Sequence, residues 1–154
     1  MKLVLLIICC CAVIITGYLY SNYFKKKLII FYDLLNFCDL LKTEIKLRKT
    51  TIIEIVKNSD GQFSKEFENL IYYYLGLCDK YQQNYLSKSE ENLIKNFVLS
   101  LGKNDIWGEM ENLDVRKNMI QNYCNQLYDK NKREGELGLK FGVLGAVIIF
   151  IVFI

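Results

Sequence analysis

The residues of this chain that could do chemistry are its carboxylates and its cysteines, because the sequence has no histidine. Glu109, Glu111 and Asp114 lie close together, and two such carboxylates could act as general acid and general base. The solvated face of a helix explains these three acids more simply, and a helix-capping role is sufficient for Asp105. The sequence has no GxSxG motif, no phosphate-binding glycine loop and no metal-ligand spacing. We therefore predict no enzyme activity and no cofactor.

The cysteines outside the N-terminal stretch predict core packing in a reducing compartment. Cys38, Cys78 and Cys124 occur singly, with no CxxC spacing and no histidine that could complete a zinc site. The formal net charge of +3 is too small to indicate nucleic-acid binding, and no basic and aromatic surface pattern supports it.

The stretch at residues 137–154 has the length and composition of a membrane-spanning helix. From residue 141 onward it holds no charged or strongly polar side chain. At ~1.5 Å per residue, a helix of this length spans about 27 Å, close to the ~30 Å hydrocarbon thickness of a bilayer. Lys140 would then extend its ammonium group back to the headgroups. A buried core helix is the poorer explanation, since water-soluble domains rarely finish on so long an apolar run.

Four glycines at the start of this stretch share one side of the predicted helix. Gly135, Gly138, Gly142 and Gly145 are spaced three, four and three residues apart, and the middle pair forms a GxxxG motif. For Gly135 and Gly138, loosening of the helix as it leaves water is an equal alternative to packing. Gly142 and Gly145 lie among large apolar residues, which favours close packing against another helix.

The apolar stretch at residues 3–20 predicts an uncleaved N-terminal membrane helix. Its small-residue cleavage signal is weak, and a lipoprotein cysteine would need a small residue before Cys9. By the positive-inside tendency, the basic residues beside the two stretches place the middle of the chain in the cytosol and both termini on the far side. These basic residues are Lys25, Lys26, Lys27, Lys130, Lys132, Arg133 and Lys140.

The middle of the chain contains no proline, and its apolar residues recur at helical spacing. The pattern predicts helices over 24–47, 52–57, about 64–81, 87–101 and 105–127. Thr51 with Glu54, and Ser87 with Glu90, have capping-box spacing, and Gly102 stands where a left-handed helix end favours glycine. The predicted core positions are Leu28, Phe31, Tyr32, Leu34, Leu35, Phe37, Cys38, Leu41, Ile45, Phe67, Leu70, Ile71, Tyr74, Leu75, Cys78, Leu93, Ile94, Phe97, Val98, Leu101, Trp107, Met110, Leu113, Ile120, Cys124 and Leu127.

These patterns predict an all-α fold, a helical bundle between an N-terminal and a C-terminal transmembrane helix. The predicted domains are an N-terminal transmembrane helix at residues 1–23, a cytosolic helical bundle at 24–136 and a C-terminal transmembrane helix at 137–154. The basic clusters lie where anionic headgroups would be.

Four short segments follow one another along the chain: Glu44-Ile45, Thr50-Thr51-Ile52, Leu101-Gly102-Lys103-Asn104-Asp105 and Lys140-Phe141-Gly142-Val143-Leu144-Gly145. Their order resembles that of the stage III sporulation protein AB family of endospore-forming bacteria. That family has EI, then TPL, then LGxxD, then a glycine-rich entry to a C-terminal membrane helix. Thr51 stands where the family has proline, and Phe141 replaces leucine in the last segment.

The resemblance implies a structural component of the assembly built between the mother cell and the forespore, in the cell membrane on the mother-cell side. It implies a soluble domain similar to the cytoplasmic helical domains of the platform protein of type II secretion and type IV pilus machines. The expected partners are membrane lipid, a secretion-type ATPase, other sporulation channel proteins and further copies of the chain. The family positions are Glu44, Ile45, Thr50, Leu101, Gly102 and Asp105 in the bundle, and Gly138, Gly142 and Gly145 in the membrane helix.

Two other classes of protein fit the same sequence. A two-span membrane regulator or adaptor unrelated to sporulation would have the same hydropathy and bundle, and a neighbouring gene for a secretion-type ATPase would separate the two. A membrane-bound hydrolase would need a working carboxylate pair. Within the leading interpretation, we expect Gly102 and Asp105 to hold the corner between the last two helices of the bundle.

Overall fold

The structure is a computed structural model that describes residues 2–48, 51–81, 85–103 and 106–153. All of the regular structure in these ranges is helical, which confirms the all-α fold class. A π-helical segment, Asn131–Gly135, lies between the last two α-helices. The α-helices are α1 (Lys2–Arg48), α2 (Ile52–Asn58), α3 (Lys65–Tyr74), α4 (Lys88–Ser100), α5 (Ile106–Lys130) and α6 (Glu136–Phe153).

The contacts of the chain form two compact units. The terminal unit consists of Met1–Leu28 and Asn125–Ile154, and the central unit consists of Ile29–Cys124. Across the residues that the structure describes, none of the helices combines the length and the apolar character needed to cross a membrane.

Capping boxes begin α2 and α4, as the sequence predicts. The Thr51 side chain accepts the Glu54 backbone N–H, and the Glu54 carboxylate accepts the Thr51 N–H in return. Ser87 and Glu90 make the same reciprocal pair at the start of α4. Each box supplies partners for N–H groups that the first turn of a helix leaves unbonded.

Helix α3 is shorter than the sequence pattern predicts, and the prediction that it extends through Cys78 is wrong. Gly76 has φ of +72°, and its N–H donates to the carbonyl of Tyr73. The N–H of Leu77 donates to the carbonyl of Tyr72 at 2.8 Å. These two bonds form a Schellman motif, which ends the helix because glycine adopts the left-handed conformation at little cost. The predicted close at Gln82, Gln83 and Asn84 lies outside the described residues.

Helix α5 buries the predicted residues along most of its length but not at its start. Leu113, Ile120 and Cys124 are buried, and Leu127 is buried as well. Met110 is half-buried. Trp107 is 80% exposed, so its predicted core position is wrong. The apolar period of the helix does not extend into its first turn.

The core of the central unit is built around the second half of α1. Phe37 is fully buried, and its ring lies 6.0 Å from that of Phe63 and 5.8 Å from that of Phe67. Asp33 accepts hydrogen bonds from both the backbone N–H and the hydroxyl of Ser64 and so fixes the start of α3. The predicted Tyr32 is exposed, whereas Leu28 and Ile45 are half-buried. The buried apolar residues of this unit are Ile30, Phe31, Leu34, Leu35, Phe37, Cys38, Leu41, Ile55, Val56, Phe67, Leu70, Ile71, Ile94, Phe97, Val98, Leu113, Ile120 and Cys124.

Candidate functional site

Two of the segments that carry the family resemblance meet in the central unit. A Cβ placed on Gly102, in the loop after α4, would lie 3.0 Å from Cδ1 of Ile52, in the first turn of α2. Gly102 has φ of +74°, as the predicted left-handed helix end requires. The structure therefore brings together the second and third segments, which are about fifty residues apart in the sequence.

A carboxylate on α5 also accepts a hydrogen bond from the loop after α4. The backbone N–H of Gly102 donates to Oε1 of Glu109 at 3.2 Å, and the Glu109 side chain is buried. The sequence placed Glu109 on a solvated helix face, and that prediction is wrong. A buried carboxylate that accepts backbone N–H bonds stabilises a loop more strongly than a neutral acceptor does. Thr50 and Asp105, two further family positions, lie outside the described residues.

Replacing Gly102 by alanine should lower the free energy of unfolding by about 2 kcal/mol. The left-handed conformation costs a side-chain-bearing residue roughly 1–2 kcal/mol, and the new methyl group would also press on Ile52. Gly61→Ala is the matched control, because Gly61 has φ of +80° with nothing within 4 Å of an added Cβ. Denaturant unfolding of the full chain, followed by circular dichroism, measures both. Equal losses for the two variants would contradict a role for the Ile52 contact.

The first segment, Glu44 and Ile45, lies in the last turns of α1. Both side chains are half-buried. Glu44 lines a surface cavity of about 200 Å³ together with residues from α1, α2 and the following turn. The other lining residues are Leu40, Ile55, Asn58, Ser59 and Gln62. Leu101, beside Gly102, is half-buried too.

The acids that were candidates for chemistry have different environments. Glu109 is buried, Glu111 is exposed, and Asp114 accepts two hydrogen bonds from Nζ of Lys42 at 2.6 and 2.7 Å. In the part of the chain that the structure describes, no group of three or more His, Cys, Asp or Glu side chains is arranged to hold a metal ion.

Two ion pairs connect α1 with α5 in the central unit. Besides Lys42 with Asp114, Nζ of Lys117 lies 2.5 Å from Oδ1 of Asp39. The hydrogen bond with Asp39 raises the pKa of Lys117. All four side chains are at least a third exposed. Exposed ion pairs contribute little to the stability of a fold. These two pairs therefore act mainly on the alignment of α1 with α5.

A buried hydrogen-bond network joins the start of α4 to α5. The Tyr123 hydroxyl donates to Oε1 of Glu90 at 2.5 Å, and the Ser87 backbone N–H donates to Oε2 at 2.6 Å. Burial, together with the hydrogen bond and charge of Glu90, raises the pKa of Tyr123. The sequence identified Glu90 as a cap only. The link to Tyr123 joins residues 33 positions apart, and no local pattern predicts it.

The cysteines of the central unit differ in exposure. Cys38 and Cys124 are buried, as predicted, but Cys78 is exposed and its predicted core position is wrong, because α3 ends before it. Burial, and then the neighbouring Asp39 charge, raises the pKa of the Cys38 thiol to about 12. Burial raises the pKa of the Cys124 thiol to about 11. Both groups are therefore neutral thiols near pH 7 and are not nucleophiles.

The buried Cys38 thiol should make the central unit sensitive to alkali. Its pKa is about 12 in the folded chain and 9.0 ordinarily, so its stabilising contribution is complete below pH 9 and is lost as the pH rises towards 12. Each pH unit in this window costs up to about 1.4 kcal/mol. Between pH 8 and pH 10.5, the parent chain should therefore lose about 2 kcal/mol more of its free energy of unfolding than the Cys38→Ala variant does. Identical pH profiles would contradict the burial of the thiol.

In the terminal unit, the glycine side of α6 lies against α1. A Cβ on Gly142 would lie 3.2 Å from the backbone oxygen of Val13 and 3.5 Å from Cα of Gly17. A Cβ on Gly138 would lie 2.8 Å from Cδ1 of Tyr20, and one on Gly145 would lie 3.5 Å from Cγ1 of Val13. The backbones of α1 and α6 thus come close together at Gly142. The helix that packs against the glycine side of α6 is therefore α1 of the same chain.

The terminal unit exposes large apolar side chains on both of its helices. Such a concentration is unusual on a surface that faces water and is typical of a surface that contacts lipid or another protein. On α1 the exposed side chains are Ile8, Ile14, Ile15, Tyr18, Leu19 and Tyr20. On α6 they are Leu137, Phe141, Val143, Leu144, Val147, Ile148 and Ile151.

Comparison of the chain with protein-family models, with curated proteins and with solved structures finds no match. The candidate sites are therefore defined by geometry alone, and each unit has its own. In the central unit it is the loop at Gly102, which contacts Ile52 and is hydrogen-bonded to Glu109. In the terminal unit it is the close helix pair centred on Gly142.

Proposed function

We propose that this chain is a structural membrane component of the secretion-like channel assembly that joins mother cell and forespore during endospore development. In this role it is a platform for a secretion-type ATPase and for the other proteins of the same operon. It has no catalytic step of its own. Its helical bundle lies in the cytosol of the mother cell, between two membrane helices.

The observation that carries this proposal is the position of the resembling segments in the fold. Gly102 adopts a left-handed conformation against Ile52, and Gly142 meets the backbone of α1. At each of these positions the local geometry restricts the residue type. Two of the four segments thus contain a glycine that the fold requires, which supports a shared architecture.

Membrane anchoring is supported by the exposed apolar side chains of the terminal unit and by the sequence. Residues 141–154 hold fourteen consecutive residues without a charged side chain, and residues 3–20 hold none either. Lys25, Lys26 and Lys27 follow the first stretch, and four basic residues, Lys130, Lys132, Arg133 and Lys140, precede the second. Positive charge on the same side of both stretches favours a cytosolic bundle.

Capture of the ATPase by the full chain tests the platform role. The tagged full chain, solubilised from membranes in a nonionic detergent, should retain the secretion-type ATPase encoded beside it. Gly102→Ala should weaken this capture if the Gly102 loop is part of the platform, while Gly61→Ala, strained in the same way, should not. Deletion of the gene should arrest forespore development. A gene neighbourhood without a secretion-type ATPase, or normal spores after deletion, would contradict the proposal and favour an unrelated membrane adaptor.

A further inference from the structure

Positive charge is concentrated in the terminal unit. Met1–Leu28 and Asn125–Ile154 together contain eight Lys or Arg and three Asp or Glu, whereas Ile29–Cys124 contains twelve and fourteen. The terminal unit, which exposes large apolar side chains on α1 and α6, is therefore net positive, and the central unit is net negative. This division suits a partner that is both apolar and anionic.

The contacts between α1 and α6 fix how the two helices are aligned. Val13 lies against Gly145 and Gly142, and Tyr20 lies against Gly138. Seven residues towards the C-terminus of α1 therefore correspond to seven residues towards the N-terminus of α6. The two helices are antiparallel, and they advance by the same number of residues between the two contacts. Five residues beyond Tyr20 is Lys25, and five residues before Gly138 is Arg133.

This alignment places two basic clusters from distant parts of the sequence at one level of the helix pair. Lys25 and Lys26 on α1 stand at the level of Lys132 and Arg133 in the π-helical segment. Along α1, a rise of ~1.5 Å per residue puts that level about 7.5 Å beyond the contact between Tyr20 and Gly138. Within the terminal unit, the exposed apolar side chains of α1 and α6 lie on the other side of that contact or beside it. We call these four basic residues the basic collar.

The basic side chains around this level differ in exposure and in their contacts. Lys27 is buried, with its ammonium group 5.3 Å from the centre of the Tyr23 ring. Lys130 lies 3.9 Å from the Glu134 carboxylate. Lys25, Lys132 and Arg133 are exposed. The collar thus presents at least three cations at the edge of an apolar surface.

We propose that the basic collar binds the anionic headgroups of phospholipids at the bilayer surface. The inference rests on the proposed membrane anchoring and adds to it a lipid class and named residues. A zwitterionic headgroup has no net charge for the collar to attract, so the chain discriminates between lipids by charge. Each Lys or Arg at an anionic surface contributes about 1 kcal/mol, which is about fivefold in affinity.

Lipid binding to the full chain in a nonionic detergent tests the proposal. The chain is titrated with phosphatidylglycerol or with phosphatidylcholine, and bound lipid is counted by native mass spectrometry. Phosphatidylglycerol should bind at least about a hundredfold more tightly, and the same concentration of inorganic phosphate should not displace it. The double substitution Lys132→Gln with Arg133→Gln should weaken phosphatidylglycerol binding about 25-fold and leave phosphatidylcholine binding unchanged.

The control is the double substitution Lys95→Gln with Lys103→Gln, which removes the same charge from exposed positions of the central unit. It should leave lipid binding unchanged. Equal binding of the two lipids, or equal losses in the two double variants, would overturn the proposal, and displacement by phosphate would assign the collar to a free anion instead. A chain that prefers neither lipid but stays in membranes after an alkaline carbonate wash would refute the collar alone. Release by that wash would refute the anchoring on which the collar depends.

Discussion

Replacing Phe37 by alanine should lower the free energy of unfolding of the chain by about 3–5 kcal/mol. A fully buried phenylalanine loses its transfer free energy and leaves a cavity that the neighbours fill only in part. Phe37 is 1% exposed and packs against the rings of Phe63 and Phe67. The edge-to-face contacts with Phe63 and Phe67 would be lost as well.

The control for this substitution lies next to it on the same helix. Asn36 is exposed, so Asn36→Ala should change the free energy of unfolding by no more than about 0.5 kcal/mol. Denaturant unfolding of the full chain in detergent, followed by circular dichroism, measures both variants. A loss below about 1 kcal/mol for Phe37→Ala would mean that the aromatic cluster is not the core of the central unit.

Replacing Gly142 by leucine should separate α6 from α1 and cost about 3 kcal/mol, the upper part of the usual range for overpacking. The new side chain would meet the Val13 backbone oxygen and the Gly17 Cα, and backbone atoms cannot rotate away. Hydrogen exchange of the α6 amides in detergent reports this local opening. We expect exchange to be about a hundredfold faster, because 1.4 kcal/mol corresponds to a factor of ten.

Gly145→Ala is the comparison for Gly142→Leu. An added Cβ at Gly145 would make an ordinary contact, 3.5 Å from the Val13 side chain. Exchange of the α6 amides should therefore stay unchanged or become slightly slower, since alanine favours helix over glycine. Unchanged protection in Gly142→Leu would show that the two helices are not held together at this glycine.

The parts of the fold that the sequence predicts correctly depend on local chemistry. Capping boxes need a hydroxyl and a carboxylate three residues apart, so the starts of α2 and α4 could be predicted from Thr51 and Ser87. The left-handed conformation of Gly102 follows in the same way from a glycine after an apolar helical run. Continuous apolar periodicity predicts the buried side of α1 from Phe31 to Leu41.

The wrong core predictions for Cys78 and Trp107 share one cause, the extension of an apolar period past a helix end. Gly76 stands inside such a run, between Leu75 and Leu77, and its role as a helix stop was missed. Cys78 was therefore placed in the core, although it is exposed. Trp107 lies at the N-terminal end of a helix, in the first turn of α5. Its side chain is 80% exposed there, although it was predicted to lie in the core.

The central part of the candidate site was only partly predictable, because it depends on contacts distant in sequence. The sequence indicates Gly102 but not its contact with Ile52 or the acceptance of its N–H by Glu109. The spacing of seven residues between Gly102 and Glu109 is the only signal available, and it corresponds to no standard motif.

The packing of the terminal helices was also only partly predictable from the sequence. Glycine spacing predicts that a helix approaches Gly142 closely, but it does not identify that helix. The structure places the chain's own α1 there, with Gly17 opposite Gly142.

An alkaline carbonate wash of membranes from cells that make the full chain tests the account most directly. We propose that α1 and α6 anchor the helical bundle in the bilayer, and carbonate removes peripheral proteins while it leaves anchored ones in place. We expect the chain to sediment with the membranes and to be released only by detergent. Recovery of the folded chain in the carbonate supernatant would contradict membrane anchoring, and with it the platform role.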